Sequence, residues 1–239
     1  MSLNPDASLD EGAVLIIPAL NEEAVIGAAL ADISPGLFKT IIVADNGSTD
    51  RTVEIARAAG ATVTIEPERG YGAACLRALR EVPGGSQPIV FMQADLSEKS
   101  SEAHQLLRPL YEGRADLVIG SRTLGSAAPG ALLPHQRLGN SVLIVLMRLL
   151  FRHSFTDLGP FRAIRADTLR NLDMREHNYG WTVEMQVKAV RRGLRVLEVP
   201  VSYQVRAAGV NKVSGNLGVS VKAGLKMILV LLRLWTERA

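Results

Sequence analysis

Short apolar runs that stop abruptly at polar tips restrict this chain to a small set of folds. Ala13-Val14-Leu15-Ile16-Ile17-Pro18 gives way to Asn21-Glu22-Glu23, and Thr40 to Ala44 runs into Asp45-Asn46-Gly47-Ser48-Thr49-Asp50. Ile89 to Met92 stops at Gln93-Ala94-Asp95, and Ala115 to Ile119 ends at Gly120-Ser121-Arg122. Runs this short and this apolar read as strands buried on both faces of a mostly parallel sheet. Helical spacing fills the gaps: Val25, Ile26, Ala29, Leu30 and Ile33 after the first run, Thr52 to Ala59 after the second, and about Ser101 to Glu112 after Asp95. With Thr62 to Ile65 as a third strand, the βαβαβ order predicts a half-Rossmann arrangement. Ligands of such sheets collect beyond the carboxyl ends of the strands, so the polar tips are the candidate site.

Each tip has an ordinary and a functional reading. Asp95 is either a turn or cap residue or, with Gln93 two positions earlier on the same side of an extended backbone, part of an oxygen site for a hard divalent cation. Asp45 needs no capping role, because Ser48 to Asp50 already offer caps. Its carboxylate can accept from a base N–H or a ribose hydroxyl. Glu22 and Glu23 suit the positive end of a helix. Arg122 suits bidentate phosphate contact or a surface ion pair. Arg69-Gly70-Tyr71-Gly72-Ala73-Ala74-Cys75 matches only the first two glycines of the dinucleotide fingerprint and follows the third strand rather than the first. Gly70 and Gly72, opening a helix to Arg80, either bring backbone N–H groups toward a pyrophosphate or form a flexible loop. No P-loop lysine follows them.

Composition narrows the partners. A net charge of +3 in 239 residues does not call for nucleic acid but fits anionic substrates or an anionic membrane face. Cys75 is the only cysteine, which excludes an intrachain disulfide and fits a reducing compartment. Residues 1–12 read as a polar, flexible tail without signal-peptide character. Residues 13–239 read as a single domain, with 13–122 as the nucleotide-binding half and 123–239 as the acceptor half. No apolar run reaches the ~20 residues needed to span a bilayer.

The second half carries a different signal. Leu138 to Phe151 is intensely apolar, yet Arg137, Ser141, Arg148 and Arg152 fall within roughly 60° of one another on a helical wheel. Near the C-terminus Lys222, Lys226 and Arg233 fall within roughly 40°, beside Leu225 to Leu232, Leu234 and Trp235. Broad apolar faces with basic edges suit a membrane interface, with a homo-oligomer contact as the rival. Thr123 to Pro134 reads as a mobile loop, and Leu194 to Val199 and Val201 to Val205 as strands parted by Pro200. Asp157 is placed to face a reaction centre and Arg162 to bind phosphate.

Taken in order, Pro18 to Glu23, Asp45 to Asp50, Gly70 to Ala74 and Gln93 to Asp95 resemble the family 2 inverting glycosyltransferases of the GT-A fold. Gly120-Ser121-Arg122 extends the likeness toward polyprenyl-phosphate hexose synthases. The resemblance implies a Rossmann-like three-layer α/β sandwich and a nucleotide diphosphate sugar donor. It implies Mg²⁺ or Mn²⁺ as cofactor, a lipid phosphate acceptor, and a cytoplasmic, peripherally membrane-bound enzyme. It places Pro18, Glu22, Asp45 and Asp50 around base and ribose, and Gly70 and Gly72 at the diphosphate. Arg122 falls near phosphate or acceptor, Glu184 at the acceptor site, and Arg206 and Lys212, with Asn211 and Ser214, in a basic segment that closes over the donor. Asp95 and Gln93 would hold the metal. Gln93 stands where the family usually has the first Asp of Asp-Xaa-Asp, which keeps open a non-catalytic sugar-nucleotide binder. A membrane-surface adaptor is the other alternative. If the acceptor were a hydroxyl, Asp157 or Glu184 would have to remove its proton.

Overall fold

The computed structural model describes residues 12–85, 87–208 and 217–237, so most of the expected tail and Asn211, Lys212 and Ser214 lie outside the described residues. The chain alternates β1 (Ala13–Ala19), α1 (Ile26–Ala31), β2 (Phe38–Asp45), α2 (Thr52–Ala58), β3 (Thr62–Ile65), α3 (Tyr71–Leu79) and β4 (Pro88–Phe91). It continues through α4 (Ala103–Tyr111), β5 (Leu117–Ala127), α5 (Pro134–Phe151), β6 (Arg162–Arg165), α6 (Ala166–Leu172), α7 (Trp181–Arg191), β7 (Val196–Tyr203) and α8 (Leu217–Thr236). All the strands join one seven-stranded sheet of order β3-β2-β1-β4-β6-β5-β7.

The period-2 alternation of strand side chains builds a core on each face. Leu15, Ile17, Val43, Val90 and Val118 pack under α1, α2 and α4. Val14, Ile16, Ile42, Phe91 and Ile119 pack on the other face, with α3, α5, α7 and α8. This is a three-layer sandwich whose helices satisfy both apolar faces.

Two features of the sheet position the site. First, β6 runs antiparallel to both of its neighbours, with Arg162 opposite Phe91 and Ile119. The segment leading into β6 therefore enters at the same edge where β4 and β5 end, and Asp157 arrives beside the strand tips. Second, β5 does not stop at Arg122. After an irregularity between Ser121 and Ser126 it pairs on with β7, Ala127 opposite Tyr203. The expected mobile loop is thus partly strand, and Gly125 permits it: a Cβ there would lie 2.1 Å from the Val201 carbonyl oxygen. The expected break at Pro200 is likewise absent. β7 is an edge strand, where a missing N–H costs no ladder bond.

The basic, apolar helices form as their spacing predicts. On α5, Leu143 and Met147 are buried while Leu138, Val142, Val145 and Leu149 face outward. On α8, Val230, Leu231 and Leu234 are buried while Val221, Leu225, Leu229, Leu232 and Trp235 are exposed. Among the described residues no helix is long and apolar enough to cross a membrane.

Candidate active site

The loops after β1 and β2 are stitched together. The Asn21 N–H donates to Ser48 Oγ (2.8 Å), the Thr49 N–H to Asn21 Oδ1 (2.8 Å) and the Glu22 N–H to Thr52 Oγ1 (2.7 Å). Asp50 belongs to this stitching: its carboxylate accepts from the Thr52 N–H, the Thr52 hydroxyl and the Glu23 N–H. Glu23 accepts from the Arg51 N–H. Neither Glu22 nor Glu23 caps α1, which begins only at Ile26; Glu23 instead lies at the start of α2. Pro18 is half-buried within the last turn of β1 pairing, opposite Ala44.

Asp45, 2% exposed, holds the Gly47 and Ser48 N–H groups with Oδ2, each at 3.0 Å. Gly47 makes the turn at a φ of +79°. The other oxygen, Oδ1, is buried with no hydrogen-bond partner. A buried carboxylate oxygen without a donor is costly, so the geometry calls for a donor from outside the chain.

At the β4 tip, Asp95 Oδ1 accepts from the Ser97 N–H (3.0 Å) and hydroxyl (2.5 Å). Its Oδ2 meets Arg206 Nη1 at 3.1 Å, and the same guanidinium pairs with Glu22. Glu22 and Asp95, 73 positions apart, are thereby bridged by a cation from beyond β7. Gln93 Oε1 accepts from the Tyr203 hydroxyl at 3.4 Å. Ring and guanidinium stack at Tyr203 as well, with Arg122 Cζ 5.1 Å from its centroid.

Sequence reasoning missed Tyr203 and Glu98. Glu98 is buried, accepts from the Gln93 N–H (2.8 Å), and leaves Oε1 without a partner. Burial pushes its carboxyl up to about 8, against the pull of the Gln93 N–H. The cue was an acid beside a predicted strand end, which reads locally as a surface residue.

At the β5 tip, Asp157 is 1% exposed and grips Arg122 with a fork: Nε to Oδ2 and Nη2 to Oδ1, both 2.7 Å. The Arg122 backbone N–H joins at 2.9 Å. Burial works against the Arg122 charge, but Asp157 outweighs it and raises the guanidinium above its ordinary range. Asp157 is consumed in this pairing rather than held ready for a proton. Arg122 in turn lines a cavity of about 610 Å³ between the β5 tip, α5 and α8, with His135, Arg137, Asn140, Ser141 and Thr182. No aspartate or glutamate is among its described lining residues.

Other sequence candidates have structural partners. Arg162 is fully buried and donates to the Gly159 and Thr182 carbonyls, so it holds backbone instead of facing a ligand. Glu184, 0% exposed, accepts from the Arg175 and Glu176 N–H groups and pairs with Lys188 at 2.8 Å. It anchors the loop before α7 and does not line the cavity. That loop lies across the glycine pair: a Cβ on Gly70 or Gly72 would fall 2.0 Å from the carbonyl oxygens of His177 and Glu176. Close backbone approach within the chain therefore suffices to require both glycines.

The α/β sheet thus carries acids at the β1, β2 and β4 tips and, apart from them, an arginine paired with Asp157 over a cavity. Comparison with known proteins gives the family. The sequence profile of glycosyl transferase family 2 matches residues 14–173, and the chain belongs to that family. The uncharacterized glycosyltransferase Rv0539 of Mycobacterium tuberculosis is 35% identical over 215 residues, 89% of this chain and 94% of that protein. The undecaprenyl-phosphate mannosyltransferase of Micrococcus luteus is 28% identical over 218 residues, 84% and 87% of the two chains. Glucosyl-3-phosphoglycerate synthase from M. tuberculosis, solved with phosphoglyceric acid, matches with a TM-score of 0.76 at 26% identity, over 98% of this chain and 84% of that one. The same enzyme solved with Mn²⁺ and uridine-diphosphate-glucose gives 0.74 at 25%, over 98% and 83%. The fold is GT-A, and the protein is a glycosyltransferase.

Proposed function

We propose that the enzyme transfers a hexose, with inversion, from a nucleotide diphosphate sugar to a polyprenyl phosphate at a membrane surface. The carrying observation is the cavity under Arg122: it presents Arg122, His135 and Arg137 and no carboxylate among its described lining residues. A hydroxyl acceptor needs a base, and both carboxylates suited to that task are occupied, Asp157 by Arg122 and Glu184 by the loop before α7. A phosphate acceptor is already an anionic nucleophile and needs only alignment. Its charge suits a guanidinium fork held rigid by Asp157.

On the donor side, Asp45 Oδ1 offers its free acceptor to a base N–H, with Pro18, Glu22 and Asp50 framing the loops around it. Gly70 and Gly72 set the start of α3 for the diphosphate. Arg206, with Lys212 beyond the described residues, supplies positive charge to the departing diphosphate. Asp95 and the Gln93 amide oxygen, which both meet the Ser97 hydroxyl, are the residues that would hold a divalent ion. No cluster of three or more Asp, Glu, His or Cys able to hold an ion alone occurs among the described residues. Mg²⁺ or Mn²⁺ bound there would neutralise the leaving group, and Arg206 would exchange its carboxylate partners for phosphate oxygens.

The membrane part of the reading rests on the exposed apolar stripes of α5 and α8, edged by Arg137, Arg148, Arg152, Lys222, Lys226 and Arg233. These helices also wall the cavity through Leu143 and Met227, so a lipid tail at that surface delivers its phosphate to Arg122. The test is a thermal-shift screen of nucleotide diphosphate sugars with Mg²⁺ or Mn²⁺, followed by nucleotide release with the stabilising donor. Release stimulated by polyprenyl phosphate in vesicles supports the proposal. Release stimulated only by a soluble phosphate such as phosphoglycerate replaces the lipid by a small acceptor.

A further inference from the structure

We propose that Glu198 is a positioning residue for the acceptor phosphate, acting through residues 156–159 on Arg122. The inference rests on the reading of the cavity as the acceptor site. Glu198 interrupts the apolar run of β7, and its carboxylate reaches a segment about 40 positions upstream in the chain. It accepts from the Thr156 N–H (2.8 Å), the Thr156 hydroxyl (2.8 Å) and the Asp157 N–H (3.0 Å).

Two routes lead from this carboxylate to Arg122. One runs through the Asp157 backbone to the side chain that forks onto the guanidinium. The other is a directed chain of hydroxyls. Because the Thr156 proton is committed to Glu198, Thr156 Oγ1 accepts from Ser121 Oγ at 2.7 Å. Ser121 Oγ in turn accepts from the Leu124 N–H at 3.1 Å, which fixes the backbone on both sides of Arg122. An acceptor-only group at position 198 sets the direction of the whole chain.

The opposite side of the same segment is pinned just as fully. Asn140 Oδ1 accepts from the Leu158 N–H (3.1 Å), Gln186 donates to the Asp157 carbonyl (3.1 Å), and Arg162 Nε donates to the Gly159 carbonyl (3.1 Å). Gln186 and Arg162 are both 0% exposed. Fully partnered networks of this kind, part-buried at Glu198 and Thr156 and buried at Gln186 and Arg162, hold a functional group in one place before its ligand arrives. Glu198 is the member that an amide replaces poorly, since a Gln NH₂ would face N–H and O–H donors. In the Glu198→Gln variant at least the Thr156 N–H faces the amide NH₂, which loosens the segment that aims Asp157 and the Arg122 fork.

The test is steady-state kinetics of the full chain with its nucleotide sugar and polyprenyl phosphate in anionic vesicles. It compares wild type, Glu198→Gln, Arg122→Lys and the double variant. Glu198→Gln is expected to raise the acceptor KM roughly tenfold or more and leave the donor KM unchanged. In the Arg122→Lys background the same change should add less than about twofold, because the two act as one unit. Thr156→Val, which removes only the hydroxyl, should move the acceptor KM in the same direction by less, and it serves if Glu198→Gln fails to fold. Full additivity, or an equal rise in donor KM, overturns the proposal by reducing Glu198 to general structural support. An unchanged acceptor KM in Arg122→Lys itself overturns the acceptor reading, a failure distinct from that of Glu198.

Discussion

At the β1, β2 and β4 tips, Asp45 keeps one buried oxygen without a partner, and Glu22 and Asp95 share a single guanidinium brought from beyond β7. At the β5 tip, Asp157 and Glu198 hold donors from both sides, and Arg122, gripped by Asp157, is presented to the cavity. The two regions lie on one sheet edge and use the same residue types in opposite ways. Acids on the first side are arranged to receive something; acids on the second are used up in aiming a cation. A donor that brings N–H groups and a diphosphate suits the first, and an acceptor that brings its own negative charge suits the second.

Removing the receiving acid should have the largest effect. Asp95→Ala is expected to lower turnover about 10²–10³-fold, measured as nucleotide release, while leaving the fold and vesicle binding intact. Near-normal turnover would mean that the β4 tip is not where the leaving group is stabilised. On the aiming side the first readout is stability. Asp157→Asn, which leaves Arg122 facing an amide, should cost about 3 kcal/mol in urea unfolding. A loss below about 1 kcal/mol would show the fork to be loosely held, and the contrast between the two regions would shrink.

Glu98 lies between the regions and sharpens the comparison through pH. Its folded pKa is raised from 4.5 to about 8, so between those values the folded state binds more protons than the unfolded one. Stability contributed by the protonated carboxyl is present below pH 4.5 and lost as pH rises through about 8, with a slope of about 1 kcal/mol per pH unit. Glu98→Gln should flatten that slope in thermal melts across the window; an unaltered slope assigns the titration elsewhere. The smallest effect expected is at the outer face. Leu229→Asp on α8 should weaken partition onto anionic vesicles about fivefold, with salt weakening it further. Unchanged partition, with a change in oligomeric state instead, would make this surface a contact between copies.

The strand tips were legible in the sequence because each follows a short apolar run that reads as a buried strand. Asp45 and Asp95 therefore stand where the pattern puts them, whereas Arg122 lies at an irregularity inside β5, which runs on to Ala127. What was not legible depends on pairing across the sheet. Nothing local to Val196-Leu197-Glu198-Val199 says that its acid will meet Thr156, and nothing near Tyr203 says that its hydroxyl will meet Gln93. The antiparallel β6 was also invisible, although it alone brings Asp157 to the tips. Pro200 and the small residues after Arg122 looked like breaks because composition does not reveal that β7 is an edge strand. Gly70, Gly72 and Glu184 illustrate the converse: each fits a ligand role by motif, yet each has a packing partner within the chain.

The contrast between receiving and aiming acids comes down to whether the acceptor carries its own charge. With a nucleotide sugar labelled in the hexose and anionic vesicles holding either a polyprenyl phosphate or the corresponding polyprenyl alcohol, the label should pass to the phosphate lipid and not to the alcohol. Transfer to the alcohol would mean that a base acts beside Arg122, and the assignment of Asp157 as an aiming residue would be wrong.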